Sequence, residues 1–209
     1  MTEPDIVTVE SGKSGASGLR LVLWLLVGLA AITGVAIAFG RQQPAEQSTQ
    51  IDLGGPFKLT ASNGSPYSEQ NLAGKPFAIF FGFTRCPDVC PTTLARMARL
   101  RQALGKDGDK FAIVFVSVDA GRDKPAQVGA YTQLFGTPIV GLTGTEAQIA
   151  AITKEYRVFF EKVPIAGGDY TIDHTASVFL MGPDGHFQSI IDHDENDQSA
   201  LAKLRRLIA

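Results

Sequence analysis

The chain has little cysteine and histidine, with two cysteines and three histidines among its 209 residues. Two thiols are too few for a disulfide-stabilised secreted scaffold, and they are too few for a four-thiolate zinc site. There is no basic excess, because 19 lysines and arginines stand against 21 acidic residues. We therefore expect no nucleic-acid partner. Hydrophobic residues make up 44% and charged residues 19%, a composition typical of a globular protein.

One stretch has no charge at all. Between Leu21 and Gly40 there is no acidic or basic residue, and Thr33 is the only polar side chain. At about 1.5 Å per residue, this run reaches roughly 30 Å, the thickness of a hydrocarbon core. It predicts an uncleaved transmembrane signal anchor over 19–40, since a cleavable signal peptide has a shorter apolar region. Cleavage at the motif Ala36-Ile37-Ala38 and a buried core helix are the alternatives.

The charges that flank this run indicate its orientation. Lys13 and Arg20 precede it and Arg41 follows it, which is a mild positive-inside bias for a cytoplasmic N-terminus. We therefore expect the part of the chain after the run to lie outside the cytoplasm. The predicted organisation is a short cytoplasmic tail at 1–18, the transmembrane anchor at 19–40, a polar linker at 41–50 and one domain at 51–209.

The remaining chain alternates strand and helix patterns. Residues 77–83 and 111–118 are continuous apolar runs, as expected for strands buried on both faces of a sheet. A helix is predicted to open at Pro91, and β-β-α patterns close the chain. The order predicts an α/β fold with a mixed central sheet flanked by helices. In a thioredoxin-like fold, reactive thiols lie between the first long strand and its helix.

That position holds both cysteines. Cys86 and Cys90 have three residues between them, and Cys90 directly precedes Pro91. We expect Cys90 at a helix N-cap, where free N–H groups and the helix dipole favour a thiolate. The positive charge of Arg85 also favours the thiolate, whereas the negative charge of Asp88 disfavours it. A low thiol pKa serves both redox exchange and metal binding, so the pKa does not distinguish a redox pair from a metal site. A third alternative is that the two cysteines are inert residues of the core.

The spacing bears on this choice. Thiol oxidoreductases of this fold usually have two residues between their cysteines, and the wider loop here lets both sulfurs converge on one metal. Thiolates are soft ligands that suit Cu(I). A third ligand is expected from a histidine, and His174 is the candidate because it precedes a predicted strand at 176–181. His186 and His193 lie in polar turn and acidic segments and are expected on the surface.

Three carboxylates near these segments are candidates for supporting roles. Asp173 is expected to orient the His174 imidazole, as metal-bound histidines commonly require. Asp119 ends the second strand and therefore lies at the functional edge of the sheet. Asp123 is expected to cap the following helix. Neither Asp119 nor Asp123 is predicted as a ligand, because hard oxygen donors suit Cu(I) poorly.

Taken together, these segments resemble the Sco/SenC family of thioredoxin-like copper chaperones over about residues 51–205. The matching residues are Gly82-Phe83-Thr84-Arg85-Cys86-Pro87-Asp88-Val89-Cys90-Pro91, Ser117-Val118-Asp119 with Arg122-Asp123 and Pro125, Gly141-Leu142-Thr143-Gly144-Thr145, and Asp173-His174 through Gly185. The cysteine motif with the distant histidine is highly specific, and the N-terminal anchor fits the family as well.

The resemblance implies copper, as Cu(I) or Cu(II), bound by Cys86, Cys90 and His174. It implies delivery of copper to the dinuclear copper site of cytochrome c oxidase subunit II, or reduction of that site's cysteines. Another periplasmic copper chaperone is a further possible partner. Since no transit peptide is seen, the implied location is a bacterial inner membrane, with a single-pass anchor and the C-terminal domain in the periplasm.

Two enzyme functions stand beside this one. The first is a thiol-disulfide oxidoreductase of the cell envelope that has no role in copper delivery. Thioredoxins resemble one another in having a proline at this place, whereas this chain has Asp173-His174-Thr175. This difference distinguishes the oxidoreductase hypothesis from the copper-chaperone hypothesis. The second is a peroxidase, since Thr84 and Cys86 loosely resemble a peroxidatic loop.

Overall fold

The computed structural model describes residues 16–40 and 53–209. The chain divides near residue 50 into two units. Within its described residues the first unit is one helix, α1 (Ala16–Gly40). Side chains of α1 are described at position 18 and over 20–34, and its large apolar side chains there are exposed, Trp24 to 76%.

No helix in the described part of the chain is both long and apolar enough to cross a membrane. The anchor over 19–40 therefore stays a prediction. The linker predicted at 41–50, and most of the tail predicted at 1–18, lie outside the described residues.

The second unit is built on a seven-stranded sheet with the strand order β2-β1-β5-β4-β3-β8-β9. Strands β3, β4 and β5 run parallel, whereas β1, β2, β8 and β9 pair antiparallel to their neighbours. The predicted mixed sheet is therefore confirmed. The strands of this sheet are β1 (Lys58–Ala61), β2 (Pro66–Ser68), β3 (Phe77–Gly82), β4 (Ala112–Ser117), β5 (Ile139–Thr143), β8 (Val178–Met181) and β9 (Phe187–Ile191).

The two central strands form the core of this sheet. All six residues of β3 and all six of β4 are buried, as their unbroken apolar runs predict. Helices flank the sheet, with α3 packed against β5, α4 against β1, and α5 against β8 and β9. The helices of this unit are α2 (Val89–Ala103), α3 (Pro125–Gln133), α4 (Glu146–Glu155) and α5 (Asp197–Leu207).

The sequence marks the start of α4, because Thr145-Glu146-Ala147-Gln148 has the pattern of a capping box. The structure forms this box, since the Thr145 hydroxyl accepts from the Gln148 N–H and the Gln148 side chain accepts from the Thr145 N–H. The predicted start of α2 at Pro91 is wrong. This helix begins at Val89 with Asp88 as its N-cap, and Pro91 is tolerated within the first turn because the first N–H groups of a helix have no intrahelical partner.

A separate two-stranded sheet stands beside the main one. It pairs β6 (Phe160–Pro164) with β7 (Tyr170–His174), and the turn between them passes through Gly167 and Gly168 at positive φ, a conformation that glycine adopts without strain. His174 is the last residue of β7 and pairs with Phe160. This hairpin, rather than the start of β8, therefore positions His174.

Candidate metal centre

The site forms where the two central strands end. Gly82, the last residue of β3, is in register with Ser117, the last residue of β4. Because the strands are parallel, the loops that follow them leave from the same edge of the sheet, where open α/β sheets place their functional groups. The loop after β3 carries Cys86, and the loop after β4 carries Asp119 and Asp123.

Cys90 lies in the first turn of α2 and is fully buried. Its sulfur packs directly on the end of β3, because a Cβ atom added at Gly82 would stand 2.7 Å from the Cys90 Sγ. A side chain at position 82 would therefore displace the sulfur. Sequence reasoning did not single out Gly82, although it opens the segment that carries the family resemblance.

The structure brings all three predicted ligands together. One donor atom from each of Cys86, Cys90 and His174 lies within 4.8 Å of the others. The Cys90 Sγ is 3.4 Å from the His174 Nε2, and the Cys90 N–H donates to the Cys86 Sγ at 3.3 Å. His186 and His193 are exposed, as predicted.

The His174 imidazole is held by its neighbours rather than by Asp173. Its Nδ1 lies 3.0 Å from the carbonyl oxygen of Thr175. Since a carbonyl can only accept, Nδ1 carries the proton, and in the neutral ring Nε2 presents its lone pair to the sulfurs. The rings of Phe80 and Phe83 pack edge-on against the imidazole, each with its centroid 5.9 Å away.

The prediction that Asp173 orients the imidazole is wrong. Successive side chains of a strand point to opposite faces, so Asp173 points away from its neighbour His174, and it is exposed. The backbone carbonyl of Thr175 orients the imidazole instead. Sequence alone offers no signal for it, because every residue carries such a carbonyl.

The comparisons with known proteins bear on this three-residue site. A family model described as SCO1/SenC matches residues 45–209. This chain belongs to the SCO1/SenC family. Its α/β sheet with the thiols after the first central strand is the predicted thioredoxin-like fold.

Three relatives show the range of the similarity. ScoI of Bradyrhizobium japonicum, solved with copper bound, is 46% identical, with a TM-score of 0.69 over 74% of this chain and 99% of that one. Protein SenC of Rhodobacter capsulatus is 33% identical over 88% of this chain and 85% of its own length. Mitochondrial SCO2 of Saccharomyces cerevisiae is 38% identical over 76% of this chain and 54% of its own. This SCO1/SenC chain spans about half the length of the mitochondrial relatives it matches.

The two thiols of this SCO1/SenC protein have opposite acidities. The hydrogen bond from the Cys90 thiol, aided by the Cys90 N–H, lowers the pKa of Cys86 to about 4 despite its partial burial. The same contact with Cys86, together with deep burial, raises the pKa of Cys90. The predicted N-cap thiolate at Cys90 is therefore wrong. The N-terminal N–H of α2 supports Cys86, which stands in front of the helix.

This asymmetry predicts selective alkylation of the reduced protein. Cys86 is half-buried and ionised, whereas Cys90 is buried and protonated. We expect iodoacetamide to label Cys86 at a nearly constant rate from about pH 8 down to about pH 5, where an ordinary thiol with a pKa of about 8.5 has almost no thiolate. The rate should fall only as the pH approaches 4. Mass spectrometry of quenched samples measures the labelled residue and its rate.

The Cys90→Ala variant is the matched control, because it removes the largest cause of the low Cys86 pKa. Its alkylation profile should move toward that of an ordinary thiol. A wild-type rate that rises about tenfold per pH unit up to pH 8 would contradict a thiolate at Cys86.

Asp123 has a different role from the predicted helix cap. Its carboxylate accepts from the Thr84 N–H at 2.8 Å, from the Thr84 hydroxyl at 2.6 Å and from the Ser117 hydroxyl at 2.5 Å, and it is 1% exposed. The N-cap of α3 is Lys124. Asp123 therefore ties the cysteine loop to the end of β4. Asp119 and Asp123 are outside the group of three donors.

The site opens on one side. A cavity of about 350 Å³ is lined by Phe83, Cys86, Pro87, Asp88, Val89, Thr171, Ile172, Asp173, His174 and Ala176. Two of the three donors thus reach a surface depression, while the Cys90 sulfur stays buried behind them. A metal held by the three donors would be reachable by another protein from this side.

Proposed function

We propose that this protein binds copper through Cys86, Cys90 and His174 and transfers it as a chaperone. The observation that carries the proposal is the convergence of two sulfurs and one imidazole nitrogen within 4.8 Å. Two thiolates and an imidazole are soft to borderline donors, which favour Cu(I) over hard cations. The copper-bound ScoI relative, at 46% identity, supports this choice of metal.

The three ligands and their neighbours are already arranged for copper binding before the metal enters. Cys86 is already a thiolate, so the entering ion displaces only the Cys90 proton, and binding should release about one proton per copper near neutral pH. The Thr175 carbonyl keeps Nε2 of His174 free to bind. The rings of Phe80 and Phe83 limit water around the imidazole.

The recipient we propose is the dinuclear copper site of cytochrome c oxidase subunit II, as the family resemblance implies. A donor periplasmic chaperone would load the site before transfer. The exposed cavity beside Cys86 and His174 suits a ligand exchange in which cysteines of the recipient replace those of the donor.

We further propose that the apolar segment over 19–40 attaches the protein to a bacterial inner membrane, with the domain at 51–209 in the periplasm. Support comes from the uncharged run itself and from the exposed apolar side chains of α1, among them Trp24, Leu25 and Ile32. An apolar surface of that kind in water would require a cover.

The test uses a bacterium whose own copy of this gene is deleted and which is grown at low copper. We expect loss of cytochrome c oxidase activity, restored by the wild-type chain or by added copper. The Cys86→Ser variant should not restore it. A chain lacking residues 19–40 and exported by a cleavable signal should fractionate as a soluble protein and restore less activity. Full oxidase activity with Cys86→Ser would overturn the proposal.

A thiol-disulfide reductase is the second candidate, and the low pKa of Cys86 favours it, because a thiolate starts disulfide exchange. It needs both cysteines and does not need the imidazole as a metal ligand. Full restoration of oxidase activity by His174→Ala in the same strain would support the reductase function over copper delivery.

A further inference from the structure

One loop touches both halves of the candidate copper site. The cysteine half of the site comes from the loop after β3 and the start of α2. The histidine half is His174, which lies at the end of β7 in a distant part of the chain. The loop at 118–124, between β4 and α3, bonds to each half. The Asp123 carboxylate holds the cysteine half through Thr84. The other half is held by Asp119 and Arg122.

The second contact is built on a buried ion pair. Asp119 is fully buried, and its carboxylate accepts from the Arg122 Nε at 2.5 Å and from the Tyr170 hydroxyl at 2.8 Å. The Arg122 side chain is 14% exposed. A buried carboxylate that is paired and hydrogen-bonded fixes its partners in place, since moving either one would leave a buried charge.

Arg122 continues from this pair into the β6–β7 hairpin. Its Nη1 donates to the Tyr170 carbonyl at 2.9 Å and to the Asp169 carboxylate at 2.8 Å. Its guanidinium carbon lies 3.6 Å from the centre of the Tyr170 ring. The guanidinium therefore contacts the backbone and the ring of Tyr170, the first residue of β7, and the side chain of Asp169 just before it. The last residue of β7 is His174.

The hairpin needs such an anchor. A two-stranded sheet is marginally stable by itself, and four of the five residues of β6 are exposed. In β7, Ile172 is the buried residue. An apolar contact of that kind is non-directional, whereas a planar guanidinium bonded on two sides sets an orientation. The direction in which β7 delivers His174 thus depends on Arg122.

We propose that Arg122, with Asp119 and Tyr170, is a positioning group that sets where His174 stands relative to the two thiols. The inference rests on the proposed copper site, since it assigns these residues the task of completing that site. They touch no donor atom of the site, and they act through the β6–β7 hairpin. The Asp119 and Arg122 pair of the sequence motif thereby acquires a function distinct from that of Asp123.

The test compares Arg122→Lys and Tyr170→Phe with the wild-type chain. Arg122→Lys keeps the charge beside Asp119 but loses the fork, and Tyr170→Phe loses only the hydroxyl. We expect Arg122→Lys to weaken Cu(I) binding about tenfold, as for loss of a group that orients a ligand, and Tyr170→Phe to weaken it less. Competition with a Cu(I) chelator measures the affinity. The Cu(II)–thiolate absorption band should shift in Arg122→Lys.

A double-mutant cycle separates positioning from a general loss of stability. In a His174→Ala background, Arg122→Lys should change the Cu(I) affinity less than about twofold, because its effect passes through His174. Lys162→Met is the matched control. It removes an exposed cation 5.1 Å from the same Tyr170 ring without touching the loop at 118–124, and it should leave affinity and spectrum unchanged.

The copper-free protein supplies a readout that does not need the metal. Nuclear Overhauser contacts between the His174 ring and the Phe80 and Phe83 rings should weaken in Arg122→Lys and persist in Lys162→Met. If the wild-type chain binds no copper, the proposed function fails and these contacts still decide the positioning role. If the contacts persist in Arg122→Lys, or if its affinity loss is equal in both backgrounds, the positioning role is overturned.

Discussion

Replacing His174 by alanine is expected to lower the Cu(I) affinity of this protein by more than about 100-fold. Loss of a group that merely orients a metal ligand costs about 10–100-fold, and loss of the ligand itself should exceed that range. The variant leaves two sulfurs and removes the nitrogen that lies 3.4 Å from the Cys90 Sγ. Competition with a Cu(I) chelator under anaerobic conditions gives the affinity, and metal analysis gives the stoichiometry.

The other two histidines provide controls of the same residue type. His186 and His193 are exposed and outside the group of donors, so His186→Ala and His193→Ala should bind copper as the wild type does. The three-ligand site is wrong if His174→Ala binds copper as tightly as these controls. A stoichiometry of one copper in the wild type and in all three variants, with only His174→Ala weakened, supports it.

Replacing Asp123 by alanine is expected to lower the free energy of unfolding by about 2–4 kcal/mol. Three donors lose their acceptor at once, and a buried unsatisfied donor costs about 1–3 kcal/mol. The Ser117 hydroxyl is fully buried and has no access to water. Thr84 is half-buried, so water can replace the lost carboxylate as a hydrogen-bond acceptor and reduce the cost there. Denaturant unfolding of the wild type and the variant measures the difference.

A graded series tests whether the hydrogen bonds are the cause. Asp123→Asn keeps one acceptor oxygen, and its amide can donate to the Thr84 hydroxyl, so we expect a loss of about 1 kcal/mol. Asp194→Ala removes an exposed carboxylate and should change stability by less than about 0.5 kcal/mol. Equal losses for Asp123→Ala and Asp194→Ala would show that Asp123 does not hold the cysteine loop.

Much of the fold was predictable, because its signals are local. The runs at 77–83 and 111–118 are apolar at every position, and only a strand buried on both faces requires that pattern. Two glycines at positive φ mark the turn of the β6–β7 hairpin. The start of α2 was misplaced by two residues, since a proline within the first turn resembles a proline at its first position.

The roles of the polar residues were less predictable. Asp123 lies directly before a helix, so capping was the simple expectation, but its carboxylate turns toward a loop 39 residues earlier in the chain. Asp173 neighbours His174 in sequence, yet the alternation of a strand places the two side chains on opposite faces. A sequence pattern shows which groups are available and does not show which distant donors will meet them.

By itself the sequence determined the donor set and the family, because two cysteines with three residues between them and one suitably placed histidine form a specific pattern that requires no coordinates. Only the tertiary structure decided how these donors differ. It buries the Cys90 sulfur against Gly82, it places the Cys86 sulfur before a helix N–H, and it holds His174 through a hairpin that Arg122 grips. Acidity and orientation depend on burial and on contacts between segments far apart in the chain, and these exist only once the sheet has formed.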